Sequence, residues 1–207
     1  LMLVNPCYFR MAESNLIRTQ INSGVNIRWL SDSIDKHICR VIDIKQNDFG
    51  MNYYCGIEIQ GNAYSAHNIK IDISRNSIYR NKKEGLLIQN LALTAILLYG
   101  NDISKNEGHN LKLEHVHHKM NKRYPFRVEN CQLESSKGGF GASLFDTSFT
   151  MKNCIVRGNQ SGGIYCGCPA MPVGIADDAL VFLKKFPMPI KISNCEVTQN
   201  MHYGVLV

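Results

Sequence analysis

Apolar and polar residues alternate over short stretches of this chain, as in Ile69-Lys70-Ile71-Asp72-Ile73, Phe126-Arg127-Val128 and Ile190-Lys191-Ile192. A period of two predicts strands with one buried face. Each run opens a five-point pattern: an apolar anchor, Asn or Cys at +3, an apolar residue at +5, Asn at +8 and Gly at +12. Its copies begin at Ile44 (Asn47, Phe49, Asn52, Gly56), Ile73 (Asn76, Ile78, Asn81, Gly85) and Leu98 (Asn101, Ile103, Asn106, with Asn110 in the glycine slot). They continue at Val128 (Cys131, Leu133, Ser136, with Phe140 in the slot), Met151 (Cys154, Val156, Asn159, Gly163) and Ile192 (Cys195, Val197, Asn200, Gly204). A further short apolar segment follows the slot, as in Gly85-Leu86-Leu87-Ile88.

The +3 residues lie 29, 25, 30, 23 and 41 positions apart. A constant pattern at a variable period describes turns of fixed core with outward loops of free length, which a solenoid tolerates because insertions do not disturb the stack. Three short strands and three corners per turn predict an all-β, single-stranded, right-handed parallel β-helix of seven or eight coils. In such a stack like residues meet their copies about 4.8 Å above and below. The reading therefore places Asn47, Asn76, Asn101, Cys131, Cys154 and Cys195 in one column, and Asn52, Asn81, Asn106, Asn159 and Asn200 in another. Gly56, Gly85, Gly163 and Gly204 are expected to supply positive φ at a corner, with Asn110 substituting because Asn tolerates that region. Phe140 cannot do so cheaply, so its corner is expected to shift by one residue among Gly138, Gly139 and Gly141. An antiparallel sandwich is the rival; its Asn-Gly or Asp-Gly hairpin signals do not occur.

Residues 1–37 fit less well and are read as irregular first coils. Val4, Cys7 and Phe9 match the first three pattern positions, Gly24-Val25-Asn26-Ile27 matches a strand after the slot, and Arg10 to Gln20 is expected to be a loop or short helix. Residues 38–207 form the solenoid proper, with a loop insertion at 114–125 and a helical insertion at 165–189. The chain begins at Leu1 and ends on an apolar Gly204-Val205-Leu206-Val207, which reads as a piece of a longer protein.

The pattern at Ile73, Asn76, Ile78, Asn81 and Gly85 resembles the parallel β-helix repeat family, known in carbohydrate-binding proteins and sugar hydrolases. The Asn-Cys turns at Asn153-Cys154 and Asn194-Cys195 most resemble its intracellular branch, the F-box-only β-helix proteins and the SHC-SH2-binding spindle proteins. The resemblance spans about residues 38–207. It implies recognition of a protein partner in a ubiquitin-ligase or cytoskeletal setting, but the same ladder also serves enzymes, so fold alone does not assign the activity.

Composition narrows the chemistry. The 207 residues are 44% hydrophobic and 19% charged, with 21 Ile, 20 Asn and 16 Gly, a globular β composition rather than a disordered one. Leu91–Leu98 is the best apolar run and is far too short to span a membrane. The net charge of +6 permits anionic partners, while nucleic acid would call for more.

The polygalacturonase motifs find only partial echoes in Asp177-Asp178, Gly108-His109-Asn110 and Pro189-Ile190-Lys191. A glycosidase requires two carboxylates at a fixed short separation. The outward acids Asp43, Glu58, Asp72, Glu129 and Glu196 are scattered, though Asp43 and Asp72 hold equivalent positions in adjacent turns, as stacked calcium ligands would. No catalytic residue, metal site or cofactor is assigned. Trp29 is the only Trp, and Tyr53, Tyr54, Tyr64 and Tyr79 do not recur at one repeat position.

Eight Cys look like a secreted set by count, but column-stacked thiols with parallel Cβ vectors bridge poorly and suit a reducing cytosol. Cys166-Gly167-Cys168 is too closely spaced for a zinc half-site. Glu114-His115-Val116-His117-His118 offers His115 and His117 on one strand face, without a third ligand. The loop residues Lys119, Lys122, Arg123 and Tyr124 are the candidate contact for an acidic protein. A short helix from Gly174 to Lys185, ended by Pro187, would turn Phe182 and Phe186 onto its apolar face as a second partner contact. The expected function is a non-catalytic interaction scaffold inside a larger intracellular, cytoplasmic or cytoskeletal protein. Polysaccharide binding or cleavage is the alternative, and a purely structural filament or axonemal component the third.

Overall fold

The computed structural model describes residues 1–4, 6, 8–16, 22–29, 40–61, 69–93, 95–118, 126–147, 149–167 and 190–207. The expected helix with Phe182 and Phe186, the loop residues Lys119, Lys122, Arg123 and Tyr124, and Cys7, Cys39, Tyr64 and Cys168 lie outside them.

The described strands form three parallel sheets. The first contains Met2–Val4, Val25–Arg28, Ile57–Gln60, Leu86–Leu93, Leu111–His118, Phe140–Thr147, Gly162–Gly167 and Val205–Leu206. The second contains Tyr8–Ala12, Arg40–Lys45, Ile69–Ser74, Ala95–Tyr99, Phe126–Glu129, Phe149–Lys152 and Ile190–Ser193. The third contains Asp48–Gly50, Ser77–Tyr79, Asp102–Ser104, Gln132–Glu134, Ile155–Arg157 and Glu196–Thr198. The chain visits second, third and first sheet in turn and then climbs one rung, which is the parallel β-helix that the repeat predicts.

Register is strict. Ile44, Ile73, Leu98, Val128, Met151 and Ile192 pair in succession on the second sheet. Their side chains point inward with Phe49, Ile78, Ile103, Leu133 and Val156 to make one continuous apolar interior. Phe126 pairs with Phe149, and Trp29 is buried in the same core. Burying such large side chains is the main stabilising contribution to a single-layer coil.

The two Asn columns seal the corners. Asn47 Nδ2 donates to Asn76 Oδ1 (3.0 Å), Asn76 Nδ2 to Asn101 Oδ1 (3.0 Å), and Asn101 faces Cys131 Sγ at 3.9 Å. In the second column Asn52 donates to Asn81 (2.9 Å), Asn81 to Asn106 (2.9 Å), and Asn159 to Asn200 (2.9 Å). Each amide also reaches a corner carbonyl of the turn below, as Asn81 Nδ2 does to Phe49 O (3.1 Å), so backbone groups that a turn leaves unpaired find partners. Cys131 and Cys154 replace the amide donor with Sγ, directed at Leu98 O (3.6 Å) and Val128 O (3.5 Å).

Two sequence expectations are corrected. The slot glycines Gly56, Gly85, Gly163 and Gly204 and residue Asn110 do not have positive φ. That conformation falls instead on the residue before each ladder position: Gln46, Arg75, Gly100, Asn130, Asn153 and Asn194 at one corner, and Met51, Arg80, Lys105, Ser135, Gly158 and Gln199 at the next. The slot needs glycine for space. A Cβ on Gly85 would lie 2.4 Å from Ile103 Cγ2, 2.6 Å from Asn106 Nδ2 and 2.7 Å from Asn110 O.

The one-residue shift expected in the Val128 turn is found: the slot is filled by Gly141, which follows Phe140, and Ala142 pairs with Leu111 and with Ile164. The second correction is that the first coil is offset from its expected register. Tyr8–Ala12 is a strand, Met11 pairs with Ile44, and Ser14 N donates to Asn47 Oδ1 (2.9 Å). Ser14, rather than Cys7, therefore stands over Asn47, and Arg10–Ala12 belongs to a strand rather than to a loop or helix.

A contrast between two glycines tests the slot. Gly85→Ala should cost about 2–3 kcal/mol, because its Cβ meets a backbone oxygen that cannot move freely. Gly100 has φ +62° and only Arg75 Cγ near its Cβ direction, at 3.7 Å. Gly100→Asn should therefore change stability by less than about 0.5 kcal/mol. Urea unfolding midpoints of the two variants measure the difference.

Candidate functional site

With the interior filled by ladders, chemistry is left to the outer faces. On the second sheet Asp43 and Asp72 pair in register and both point outward. Lys45 Nζ sits between them, 3.0 Å from Asp43 Oδ1 and 2.9 Å from Asp72 Oδ2, and Arg10 Nε approaches Asp43 at 3.7 Å. The hydrogen bonds to Asp72 and then Asp43 hold the Lys45 ammonium above its ordinary pKa. This cluster keeps its own cation. Glu129 lies farther along the same sheet, beside Arg127 (3.6 Å), while Glu196 belongs to the third sheet and Glu58 to the first. Among the described residues no group of three or more His, Cys, Asp or Glu is placed to hold a metal ion.

The first sheet carries the more varied face. Near its N-terminal end Glu58, 8% exposed, accepts from Ser23 Oγ (2.6 Å) and Asn26 Nδ2 (2.9 Å), with Arg28 at 3.8 Å. Farther along, Lys112 pairs with Glu114 at 2.9 Å. His115 Nδ1 lies 2.9 Å from Asp146 Oδ2, and its ring stands edge-on to Phe145 at 5.4 Å. His115 has φ 51°, so the chain bends there, and its described partner is Asp146.

An aromatic stack crosses three successive turns of this face. The His109 ring stacks on Phe140 (centroids 5.9 Å, 18° between planes) and Phe140 on Tyr165 (5.4 Å, 28°). His109 and Phe140 each stand one residue before the slot, and Gly162 holds that position in the next turn, where a Cβ would strike the Phe140 ring at 2.7 Å. Placing Phe140 in the slot hides this stack. Registering Gly141 there puts Phe140 in line with His109, a signal already present in the sequence. The exposed pair Tyr53 and Tyr54 lies at the same corner, two turns before His109.

His109 Nδ1 accepts the Phe140 N–H at 2.9 Å, so the ring is held as the neutral Nε2–H tautomer. Burial lowers its pKa below 6.5; Glu84 and Glu114 oppose the shift and Lys112 adds to it. The unfolded chain therefore takes up a proton that the folded one refuses, and the resulting stability is present above about pH 6.5 and lost as pH falls below it. His109→Gln, whose amide oxygen can still accept from Phe140, should flatten the loss of thermal stability between pH 7.5 and pH 5.

The five described thiols are buried or half-buried. Cys55, Cys131, Cys154, Cys166 and Cys195 are all free. Burial raises Cys55 and Cys195 and pushes Cys166 up to about 11. The Cys154 thiol is raised by its hydrogen bond to Cys131 and by burial. Asn159, the Asn of the single glycosylation sequon, is fully buried in its column.

Neither a curated protein nor a solved structure matches the chain. A family model described as right handed beta helix region matches residues 12–170, well over half the length and reaching into the early coils. With three parallel sheets wound in one direction and two side-chain columns at the corners, the chain belongs to the right-handed β-helix family.

Proposed function

We propose that this β-helix is a rigid, non-catalytic platform for protein recognition, part of a larger intracellular protein that works in ubiquitin-ligase substrate selection or in cytoskeletal, spindle or ciliary assembly. The observation that carries this reading is Lys45 between Asp43 and Asp72. The stacked carboxylates that sugar hydrolysis or calcium binding would draw on are neutralised within their own cluster, leaving a fixed charge pattern rather than a reactive pair. The unpaired thiols among the described residues support a reducing compartment, and the Asn-Cys turns support the likeness to intracellular β-helix proteins.

Cross-linking mass spectrometry on the native full-length protein tests the platform. Expected are saturable cross-links from a stoichiometric protein partner to an outer face. Release of reducing ends from a polysaccharide panel, abolished by Asp72→Asn, overturns the reading.

The His109–Phe140–Tyr165 stack favours a second reading, polysaccharide binding along the first sheet, since sugar rings pack on aromatic faces. Glycan-array binding lost in Tyr165→Ala would support it.

A further inference from the structure

We propose that the corner between the third and first sheets is the docking ridge for an acidic, Asp/Glu-rich peptide segment of the protein partner, centred on Arg80, Lys83, Lys105 and Lys137. This rests on the platform reading and names the chemistry of its partner.

The register brings these residues together from turns 25 to 55 positions apart in the chain. Tyr79 pairs with Ser104, so the residues that follow, Arg80 and Lys105, stand one above the other. Lys82, Glu107 and Lys137 form the adjoining column, linked through the backbone bonds Glu107 N to Asn81 O and Lys137 N to Asn106 O. All four central cations are exposed.

The nearby carboxylates are spent elsewhere. Glu107 holds Lys82 at 2.8 Å, Glu134 holds Arg157 at 3.2 Å, and Glu84 takes the Cys55 thiol at 3.5 Å. Among the described residues, Arg80, Lys83, Lys105 and Lys137 form no ion pair.

The fold does not ask for these cations. Arg80 and Lys105 have φ 52° and 58°, a region that costs a long side chain about 1 kcal/mol and costs Gly or Asn less. Stacking like charges one rung apart, about 4.8 Å, is a second penalty. Asn or Gly at both positions would relieve both costs. The positive φ belongs to every turn of this column, Met51, Ser135 and Gln199 included, so only the choice of cations there is left unexplained by the fold, and four unpaired cations spread over three successive turns fit an anion of extended shape.

Tyr53 and Tyr54 favour a peptide over a bare polyanion. They are 57% and 44% exposed, meet edge to face at 5.5 Å, and adjoin the cations: Lys82 N bonds Asn52 O, and Lys83 N bonds Tyr54 O. Exposed aromatics beside cations provide the apolar anchor and charged rim of a peptide hot spot. From Tyr53 to Lys137 is three rungs, about 15 Å, the span of about five extended residues.

The test is fluorescence anisotropy of the intact protein with a labelled Glu-rich peptide of about eight residues. Arg80→Asn/Lys105→Asn keeps the backbone conformation and should weaken binding roughly tenfold. Lys152→Gln/Lys191→Gln, which removes the same charge from the second sheet, should weaken it less than about threefold, with wild-type binding falling as salt rises. Equal losses in the two variants, no peptide binding by the wild type, or tighter binding of single-stranded RNA or heparin than of the peptide each overturn the proposal. Partner cross-links mapping to another face would sink the ridge while leaving the platform; polysaccharide cleavage would sink the platform itself.

Discussion

Asn81→Ala should destabilise the protein by about 4 kcal/mol, a large fraction of the 5–15 kcal/mol that holds a typical domain together. The Asn81 side chain is fully buried and makes four hydrogen bonds. Its Oδ1 accepts from Asn52 N (3.0 Å) and Asn52 Nδ2 (2.9 Å). Its Nδ2 donates to Phe49 O (3.1 Å) and Asn106 Oδ1 (2.9 Å). Truncation strands several buried polar groups, at about 1–3 kcal/mol each before relaxation. Asn81→Asp should fare no better, because a carboxylate cannot donate to Phe49 O and would be a buried charge. Asn153→Gly, at an exposed corner where φ is already 53°, should lie within about 0.5 kcal/mol of wild type. Urea midpoints rank the three, and hydrogen exchange should show the loss of protection centred on the Asn52 amide. A midpoint for Asn81→Ala close to that of Asn153→Gly would mean that the column does not hold the corner.

Asn110→Gly and Ser136→Asn should each be strongly destabilising and together nearly neutral. Elsewhere a slot glycine makes room for the ladder Asn of the next turn: the Cβ of Gly56 would lie 2.9 Å from Asn81 Nδ2, and that of Gly141 2.7 Å from Asn159 Nδ2. One turn reverses the arrangement. Asn110 occupies the slot, Ser136 stands where the Asn belongs, and the Asn110 side chain fills the gap. It accepts from Asn106 Nδ2 (3.0 Å) and donates to Asn159 Oδ1 (3.0 Å) and Glu134 O (2.9 Å). Ser136 keeps the backbone bond, N to Asn159 Oδ1 at 2.9 Å. Asn110→Gly breaks the column at about 2–4 kcal/mol, and Ser136→Asn forces a second amide into an occupied space at about 2–3 kcal/mol. The double variant rebuilds the standard rung and should return to within about 1 kcal/mol of wild type, a coupling of about 3 kcal/mol or more. Additive losses in a double-mutant cycle would show that the two positions do not share one site.

Both predictions concern positions that the repeat picks out, yet the repeat gives the wrong reason for some of them. Glycine at +12 reads as a backbone requirement because glycine usually marks positive φ. The cause is a neighbour 18 to 37 residues away, the ladder Asn of the following turn, which a linear pattern does not display. Conversely, Arg80, Lys105 and Met51 adopt positive φ although nothing in their identities signals it, because the columns on either side fix the backbone around them.

The anchors and ladders were legible because each turn repeats the same local problem: an apolar face to bury and corner carbonyls to pair. Identical residues solve it at identical spacing. That determined the strands, the parallel stacking, the inward Ile and Val, and the membership of Asn47, Asn76, Asn101 and Cys131 in one line. The outer face obeys no such rule. Whether Lys45 lies between Asp43 and Asp72, whether His109, Phe140 and Tyr165 stack, and whether Arg80 stands beside Lys105 depend on which turns become neighbours and how insertions between them set the register. Side chains facing solvent are positioned by contacts across rungs, between residues distant in the chain, and only the wound coil brings those residues within reach of one another.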